Sequence, residues 1–238
     1  MEQKRIKVLT LGDMPLSTSG VANQTKHVIE ALLKSDKFDV FSLGGAVKHP
    51  HHNLIHTEEW GERWKILPVD QFGTKELLRS IIWKEKPDIL WFMTDPRFWG
   101  WLWEMDNEIR RNIPMVYYHV WDNYPYPKFN KKFYESNDVI ATISKLTDNI
   151  VKTVAPKVES HYIPHAVNTK VFKKLEDEVI EGLRKENKGP DGRNLADRFV
   201  ILFNSRNARR KHSGTLIFWF KEFLERNGDD KAVLLMHT

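Results

Sequence analysis

Short apolar runs alternate with segments of helical periodicity along the first two thirds of the chain. Seven such runs are predicted as strands, at residues 6–11, 38–43, 65–69, 88–93, 115–121, 139–143 and 161–163. Parallel strands that are buried on both faces read as continuous apolar runs, and helices form the crossovers between them. The alternation therefore predicts an α/β fold with a Rossmann-like parallel sheet flanked by helices.

Three helices are predicted between these strands. Residues 20–33 place Val21, Val28 and Leu32 on one stripe, and residues 75–84 form a short amphipathic segment. The third helix has the clearest start, because Asp95 reads as its N-cap and Pro96 as its first residue. After Pro96, apolar residues recur at helical spacing: Phe98, Leu102, Met105 and Ile109.

The apolar pattern is interrupted between residues 165 and 198 by a polar, charged stretch that contains KENKGPDGRN. We expect residues 1–164 to form the Rossmann-like domain and residues 165–198 to form an interdomain linker with one short helix at 176–186. Residues 199–238 then predict a strand at 199–205, a helix at 213–226 and a strand at 232–236. One βαβ unit is a small domain, so we expect it to pack on the first domain, on a partner chain or on a missing continuation.

Composition restricts the class of protein and its surroundings. With 238 residues, of which 41% are hydrophobic and 12% aromatic, the chain can bury a sizeable core. The lack of cysteine excludes disulfides and thiolate metal sites and fits a reducing compartment, so we expect a cytoplasmic protein. No apolar run approaches the roughly 18 residues of a membrane span. The tryptophan-rich stretch at 91–103 leaves open a peripheral membrane contact as well as core packing.

The distribution of charge and the spacing of the histidines restrict the kinds of ligand that the chain can bind. The 37 basic and 32 acidic residues are spread along most of the chain, which favours a local site for a phosphate-bearing ligand over nucleic acid binding. The histidines around Pro50, in the segment HPHH, lack the helical spacing of zinc ligands. We predict no metal and no cofactor.

The first candidate binding segment follows the first strand and reads GDMPLSTSGVANQTK. Ser19 can cap the next helix, and Gly20 lets an anion approach the free backbone N–H groups at its positive end. A capped helix without a ligand explains the same residues. The segment matches neither G-x-G-x-x-G nor a P-loop, and the second strand ends without the acidic residue that binds a dinucleotide ribose, so an NAD site is disfavoured.

The second candidate segment is NSRNARRKH, at residues 204–212 between the predicted strand and the helix at Ser213. Arg206 and Lys211 can converge on a diphosphate at this strand end. Fixed cations suit sugar transfer, because cleavage of the glycosyl bond leaves negative charge on the departing diphosphate. A solvated basic loop is the alternative, and we interpret Arg209 and Arg210 as surface residues.

The third candidate segment is YYHVWDNYPYP, at the end of the fifth predicted strand. His119 could bond to or exchange a proton with a sugar hydroxyl, and Asp122 could orient it or contact an acceptor. A hydrogen-bonded structural role for His119 is the alternative. The aromatic side chains of this segment could stack on a sugar ring or cover the sheet: Tyr118, Trp121, Tyr124 and Tyr126.

Three segments together resemble family 4 glycosyltransferases of GT-B fold: the Ser19-Gly20-Val21 loop, IPHAVNTKVF and FVILFNSRNARRKH. The resemblance implies a retaining enzyme that transfers a sugar from a nucleotide-diphosphate donor to an acceptor, which the sequence does not identify. It implies that Arg206 and Lys211 bind the diphosphate, that Gly20 lies near a phosphate and that His119 lies near the reacting sugar. Ser144 matches the serine that follows the last strands of the acceptor domain.

The sequence departs from the family pattern in several places. Ala166 and Ser205 stand where glycine is usual, and Asn168 stands where the family has an aspartate. The family's later acidic motif, which binds the donor's sugar and ribose, has no counterpart before Thr238. We therefore expect an N-terminal portion, a half-enzyme that needs a partner chain, or an inactive remnant. A non-catalytic α/β binding module is the alternative function.

Overall fold

A computed structural model describes residues 4–189, 191–227 and 232–238. The chain divides into two compact units, Met1–Val167 and Asn168–Thr238, and each is described by itself. The division falls after Val167, whereas the sequence predicted it after residue 164. No helix among the described residues is long and apolar enough to cross a membrane.

The first unit contains one eight-stranded sheet. Its strands are β1 (Ile6–Asp13), β2 (Phe38–Gly45), β3 (Ile55–Thr57), β4 (Gly61–Pro68), β5 (Ile89–Met93), β6 (Met115–His119), β7 (Val139–Thr142) and β8 (Glu159–Tyr162). The strand order is β3-β4-β2-β1-β5-β6-β7-β8. All neighbours pair in parallel except β3 and β4, so the predicted parallel sheet is confirmed.

The order of the strands identifies where a ligand crevice is expected. The chain leaves β1 for β2 on one side of it and later returns to β5 on the other side. In open α/β sheets the carboxyl ends of two such strands diverge into a crevice, which is the usual ligand site of the fold. The switch point of this sheet therefore lies at the ends of β1 and β5, next to Asp13 and Thr94.

Six α-helices accompany this sheet: α1 (Gly20–Lys34), α2 (Lys75–Glu85), α3 (Gly100–Trp103), α4 (Asp106–Ile109), α5 (Lys131–Glu135) and α6 (Lys145–Val154). The third predicted helix is interrupted, because a 3-10 turn at Pro96–Phe98 precedes α3 and α4. Its predicted start is confirmed, since Arg97 N donates to Asp95 Oδ1 at 3.0 Å.

The buried face of α1 is offset from the predicted stripe. Ala22, Ile29 and Leu33 are fully buried, whereas Val21, Val28 and Leu32 are only partly buried. The sheet covers a wider sector of the helix than one stripe, which also buries Gln24 and Thr25. Polar residues on the buried face concealed this offset from the apolar pattern.

Two apolar clusters form the core of the first unit, with alternate residues of the strands in each. Leu9, Leu11 and Phe92 belong to one cluster, and Val8, Trp91 and Met93 belong to the other. The tryptophans of the 91–103 stretch are core residues, because Trp91, Trp99 and Trp103 are buried and Trp101 packs partly buried against the first cluster. The peripheral membrane contact that this stretch left open therefore has no support from its tryptophans.

The second unit is small and contains α7 (Asp177–Glu186), β9 (Phe199–Asn204), α8 (Ser213–Asn227) and β10 (Ala232–His237). Strands β9 and β10 pair in parallel, as the βαβ pattern predicted. The described residues of 168–189 and 191–198, which the sequence predicted as part of a linker, belong to this unit. Leu195 N donates to Arg184 O at 2.9 Å, which ties the segment to α7.

Candidate functional site

The turn after β1 is built around Ser19. Ser19 Oγ accepts a hydrogen bond from Ala22 N at 3.0 Å and donates to Asp13 Oδ2 at 2.7 Å. The predicted N-cap of α1 is thereby confirmed. Gly20, the first residue of α1, is exposed, and no atom lies within 4 Å of the position that a Cβ would take. The positive end of a 15-residue helix is therefore open to an anion or a hydroxyl at this turn.

Asp13 is a candidate residue that the sequence analysis did not single out. It ends β1 at the switch point and is half-buried. Burial raises the pKa of its carboxyl group, and the hydrogen bond from Ser19 lowers that pKa in part. Its signal in the sequence is an acidic residue two positions after the first apolar run.

Thr94 lies at the other side of the switch point in a strained backbone conformation. Its φ is 115°, a region that β-branched residues avoid. The residue is buried, and its carbonyl oxygen accepts a hydrogen bond from Tyr117 Oη at 2.7 Å. A conformation of this kind costs about 1–3 kcal/mol and persists only where surrounding contacts hold it.

His119 is buried at the end of β6, with 0% of its surface exposed. Its Nδ1 lies 3.1 Å from Tyr117 Oη and its Nε2 lies 2.7 Å from Tyr134 Oη. Burial lowers the pKa of the imidazole to about 3, although the nearby Asp95 opposes this shift. Because both ring nitrogens are occupied, His119 offers no atom to a ligand in this arrangement, in contrast to the direct sugar contact that the sequence suggested.

The segment after His119 carries the exposed groups of the third candidate segment. Asp122 is exposed beyond the end of β6, and Tyr124 is 87% exposed. Tyr118 is buried instead, and its hydroxyl donates to Ile163 O at 2.8 Å. Phe129, which the sequence analysis did not consider, is 73% exposed beside Trp121.

Ser144 caps α6. Its Oγ accepts a hydrogen bond from Thr147 N at 3.0 Å and lies 2.9 Å from Thr147 Oγ1, which in turn donates to Trp121 O at 2.9 Å. Ser144 therefore joins the end of β7 to the segment that carries Asp122. Within the first unit, the structure brings Ser19 and Gly20 to the end of β1, and His119 and Ser144 to the ends of β6 and β7.

The basic segment lies in the second unit, after β9. Arg206 and Lys211 are exposed, and neither forms an ion pair with any described residue. Lys211 ends a 3-10 turn, Arg209–Lys211, and Ser213 Oγ bonds to Asn207 Oδ1 at 2.8 Å at the start of α8. A strand end, two cations and a helix start are thus adjacent in the chain, as predicted.

An open cavity of about 540 Å³ lies at this helix start. Arg209 and His212 line it, whereas Arg206 and Lys211 are not among its lining residues. Arg209, which the sequence led us to interpret as a surface residue, therefore joins the candidate anion site. The 3-10 turn places Arg209 at this cavity, and the run of basic residues in the sequence does not predict that turn.

Asn168 is the first residue of the second unit and is exposed. Its Oδ1 accepts a hydrogen bond from Lys170 N at 3.0 Å, and its carbonyl oxygen accepts one from Phe172 N at 2.8 Å. These contacts stabilise the turn that opens the unit.

The histidines around Pro50 are engaged separately. His49 Nε2 lies 2.9 Å from Gly44 O, and His52 Nε2 lies 3.2 Å from Asp70 Oδ1. In the described part of the chain, no group of three or more histidine, aspartate and glutamate residues is placed to hold a metal ion.

Comparison with known proteins gives a structural likeness only. No family model matches the sequence, and no curated protein matches it significantly. Among solved structures, trehalose-6-phosphate synthase OtsA superposes with a TM-score of 0.63 at 11% identity, covering 98% of this chain and 64% of that one. A structure of trehalose-6-phosphate from E. coli bound with UDP-2-fluoro glucose gives the same TM-score and identity, covering 97% and 64%.

A third similar structure is a putative UDP-N-acetylglucosamine 2-epimerase from Listeria monocytogenes. It superposes with a TM-score of 0.57 at 12% identity, and the match covers 98% of this chain and 62% of the epimerase. The chain thus spans less than two thirds of the proteins that it resembles. Its α/β architecture, a parallel sheet flanked by helices with a smaller second sheet, matches part of the GT-B fold.

Proposed function

We propose that this chain is part of a retaining glycosyltransferase that moves a sugar from a nucleotide-diphosphate donor to an acceptor. The observation that carries the proposal is the group of cations after β9 that form no ion pair with the residues the structure describes, in a fold shared with proteins that hold UDP-2-fluoro glucose and UDP. Assignment to family 4, and retention with it, rests on the three sequence segments that resemble that family.

The cations have a direct chemical task. When the bond between the anomeric carbon and the diphosphate breaks, the bonding electrons remain on the diphosphate oxygen. Arg206 can bind two phosphate oxygens through its planar guanidinium, and Lys211 supplies a compact positive charge. Arg209 lines the adjacent cavity and adds a third positive charge at the start of α8.

We assign the acceptor side to the first unit. Asp13 and Ser19 offer a carboxylate and a hydroxyl that can orient an acceptor hydroxyl at the switch point. Gly20 leaves the start of α1 uncovered, so that an acceptor or a phosphate can approach its backbone. Asp122 and Tyr124 are exposed on the segment after β6 and can contact the same acceptor.

The experiment is incubation of the full chain with UDP-glucose, UDP-N-acetylglucosamine and GDP-mannose, followed by NMR of the released sugar. A transferase releases sugar from its own donor slowly when water replaces the acceptor, and a retaining one releases the α-anomer first from an α-linked donor. Arg206→Ala and Lys211→Ala should each reduce this release by about tenfold or more, since each removes a charge-assisted contact. Lys221→Ala, which removes an exposed cation of α8 that pairs with Glu225, is the matched control.

Two other outcomes would replace the proposal. Because one of the similar structures is a putative epimerase, inversion of the donor sugar at C2 without release would indicate an epimerase. A chain that neither binds nor turns over any of the three donors would indicate a non-catalytic module. That second candidate is favoured by the exposed apolar side chains of the second unit, which include Phe199, Leu202, Phe218 and Trp219.

A further inference from the structure

Four side chains form a hydrogen-bonded series inside the first unit, between α5 and β5. Asn130 Nδ2 lies 3.5 Å from Tyr134 Oη, which lies 2.7 Å from His119 Nε2. His119 Nδ1 lies 3.1 Å from Tyr117 Oη, which lies 2.7 Å from the carbonyl oxygen of Thr94. All four side chains are buried, and each has a hydrogen-bond partner within the protein.

The Thr94 carbonyl oxygen, at the end of this series, determines which group donates and which accepts in every hydrogen bond. The Thr94 carbonyl can only accept, so Tyr117 donates its single hydroxyl hydrogen to it. Tyr117 Oη must then accept from His119, which places a hydrogen on Nδ1. A neutral ring leaves Nε2 bare, and Tyr134 donates to it. Asn130 donates to Tyr134, which gives all the hydroxyls and both ring nitrogens a partner.

We propose that His119 is a positioning residue, held as the Nδ1–H tautomer, which orients Tyr117 so that Tyr117 holds the strained Thr94 peptide at the switch point. The alternative tautomer would leave Tyr117 facing a bare nitrogen and would draw its hydrogen away from Thr94. The strained peptide would then lose the contact that fixes it.

Thr94 is the point where this series reaches the candidate site. It directly follows β5, which pairs with β1 at the switch point, and it precedes Asp95, the cap of the 3-10 turn. The orientation of its peptide sets the direction of the segment that borders the crevice on the side opposite Ser19. The catalytic part of the inference rests on the function proposed above, whereas the structural part does not.

The first measurement is independent of activity. In the full chain labelled with ¹⁵N, long-range ¹H–¹⁵N correlation spectra distinguish the two neutral tautomers of histidine from the charged form. We expect His119 to be the Nδ1–H tautomer at pH 7. An Nε2–H tautomer or a charged ring would overturn the proposal.

The second measurement compares two buried tyrosines on opposite faces of β6. Tyr117→Phe removes the hydroxyl that bonds to Thr94 O, and Tyr118→Phe removes an equivalent hydroxyl that bonds to Ile163 O. The amides of Arg97 and Phe98 both donate to Asp95, the residue directly after Thr94. We expect their hydrogen exchange to accelerate about tenfold or more in Tyr117→Phe, and by less than about twofold in Tyr118→Phe. Equal effects of the two variants would mean ordinary core packing and would overturn the proposal.

Substitutions of His119 test the tautomer directly. Asparagine can place its amide donor near the position of Nδ1 and so continue to donate to Tyr117, whereas glutamine reaches the position of Nε2. His119→Asn should therefore retain slow exchange of the Arg97 and Phe98 amides, and His119→Gln should lose it. If glutamine preserves slow exchange and asparagine does not, the assigned direction of the series is wrong.

A measurement of turnover distinguishes failure of this inference from failure of the proposed function. If the chain releases sugar from a nucleotide donor, Tyr117→Phe should lower kcat about tenfold while the KM for the donor changes less than about twofold, because the series acts on the first unit. An unchanged kcat would remove the catalytic role. If the wild-type chain has no turnover, the proposed function fails, and the tautomer and exchange measurements still decide the structural inference.

Discussion

Ser19 and Ser144 occupy equivalent positions, each at the start of a helix that follows a parallel strand. Each accepts a hydrogen bond from the backbone N–H three residues later at 3.0 Å. Only Ser19 also donates to a carboxylate, that of Asp13. Comparing substitutions of the two serines therefore distinguishes the loss of a helix cap from the loss of a contact within the candidate site.

Ser19→Ala and Ser144→Ala should each lower the free energy of unfolding by about 1 kcal/mol, the usual contribution of an N-cap side chain. Only Ser19→Ala should raise the pKa of Asp13 further, because it removes the hydrogen bond that lowers that pKa. Urea denaturation and ¹³C NMR of the aspartate carboxyl carbons measure the two effects. Thr18→Ala, at an exposed neighbour, is the control, and an Asp13 pKa that is the same in all variants would contradict the assignment.

His119 should make the stability of the first unit depend on pH. Its folded pKa is about 3, below the usual value of 6.5, so between these values the unfolded chain binds a proton that the folded chain does not. Stability then falls as pH decreases, by about 1.4 kcal/mol per pH unit, and the effect is absent above the unfolded pKa.

The difference in unfolding free energy between the wild type and His119→Asn isolates this effect from other histidines. On lowering the pH from 6.5 to 5, the wild type should lose about 2 kcal/mol relative to the variant. Tryptophan fluorescence is a suitable probe, because every tryptophan except Trp219 lies in the first unit. If the unfolding free energies of the wild type and of His119→Asn change with pH by the same amount, His119 is solvated or charged in the folded protein.

At the level of elements, the carboxyl end of β2 packs tightly against its neighbours, whereas the turn after β1 does not. A Cβ added at Gly45 would lie 1.9 Å from Gln71 O, and one added at Gly44 would lie 2.5 Å from the sulfur of Met14. A Cβ added at Gly20 would meet nothing within 4 Å. The two glycines that end β2 therefore permit close packing, and Gly20 leaves open space.

Gly45→Ala should lower the melting temperature strongly, because backbone must move to admit the methyl group. Gly20→Ala should leave that temperature unchanged or slightly raised, since alanine favours the helical conformation. If Gly20 admits a ligand, the alanine variant should nevertheless weaken donor or acceptor binding. A melting temperature that falls equally in both variants would contradict the geometry.

The central parallel strands of the first unit, such as β5 and β6, were predictable because each is a continuous apolar run. Strand β8 is polar and mostly exposed, and the predicted strand at 161–163 overlaps only its last two residues. Strand β3 was not predicted, since three residues with polar neighbours pair with β4 only through contacts distant in sequence. Helix α6 also escaped the prediction, although Ser144 was noted as a motif residue. The burial of His119 depends on Tyr134 of α5, which the local sequence around β6 does not reveal.

For the whole molecule, the two units differ in how completely they bury their apolar residues. The first has two clusters of fully buried residues, whereas α8 and β9 of the second leave Trp219, Phe218 and Leu202 mostly exposed. The sequence predicted this second βαβ unit and the position of its basic segment. It could not predict that the cations there lack ion pairs among the described residues, because pairing depends on which side chains meet in space.

The central claim is that these cations bind a nucleotide diphosphate, and calorimetric titration of the full chain with UDP and with GDP tests it most directly. The account predicts saturable binding of at least one nucleotide, weakened about tenfold or more by Arg206→Ala and by Lys211→Ala, and unchanged by Lys221→Ala. A wild-type chain that binds neither nucleotide, or alanine variants that bind as tightly as the wild type, would contradict it.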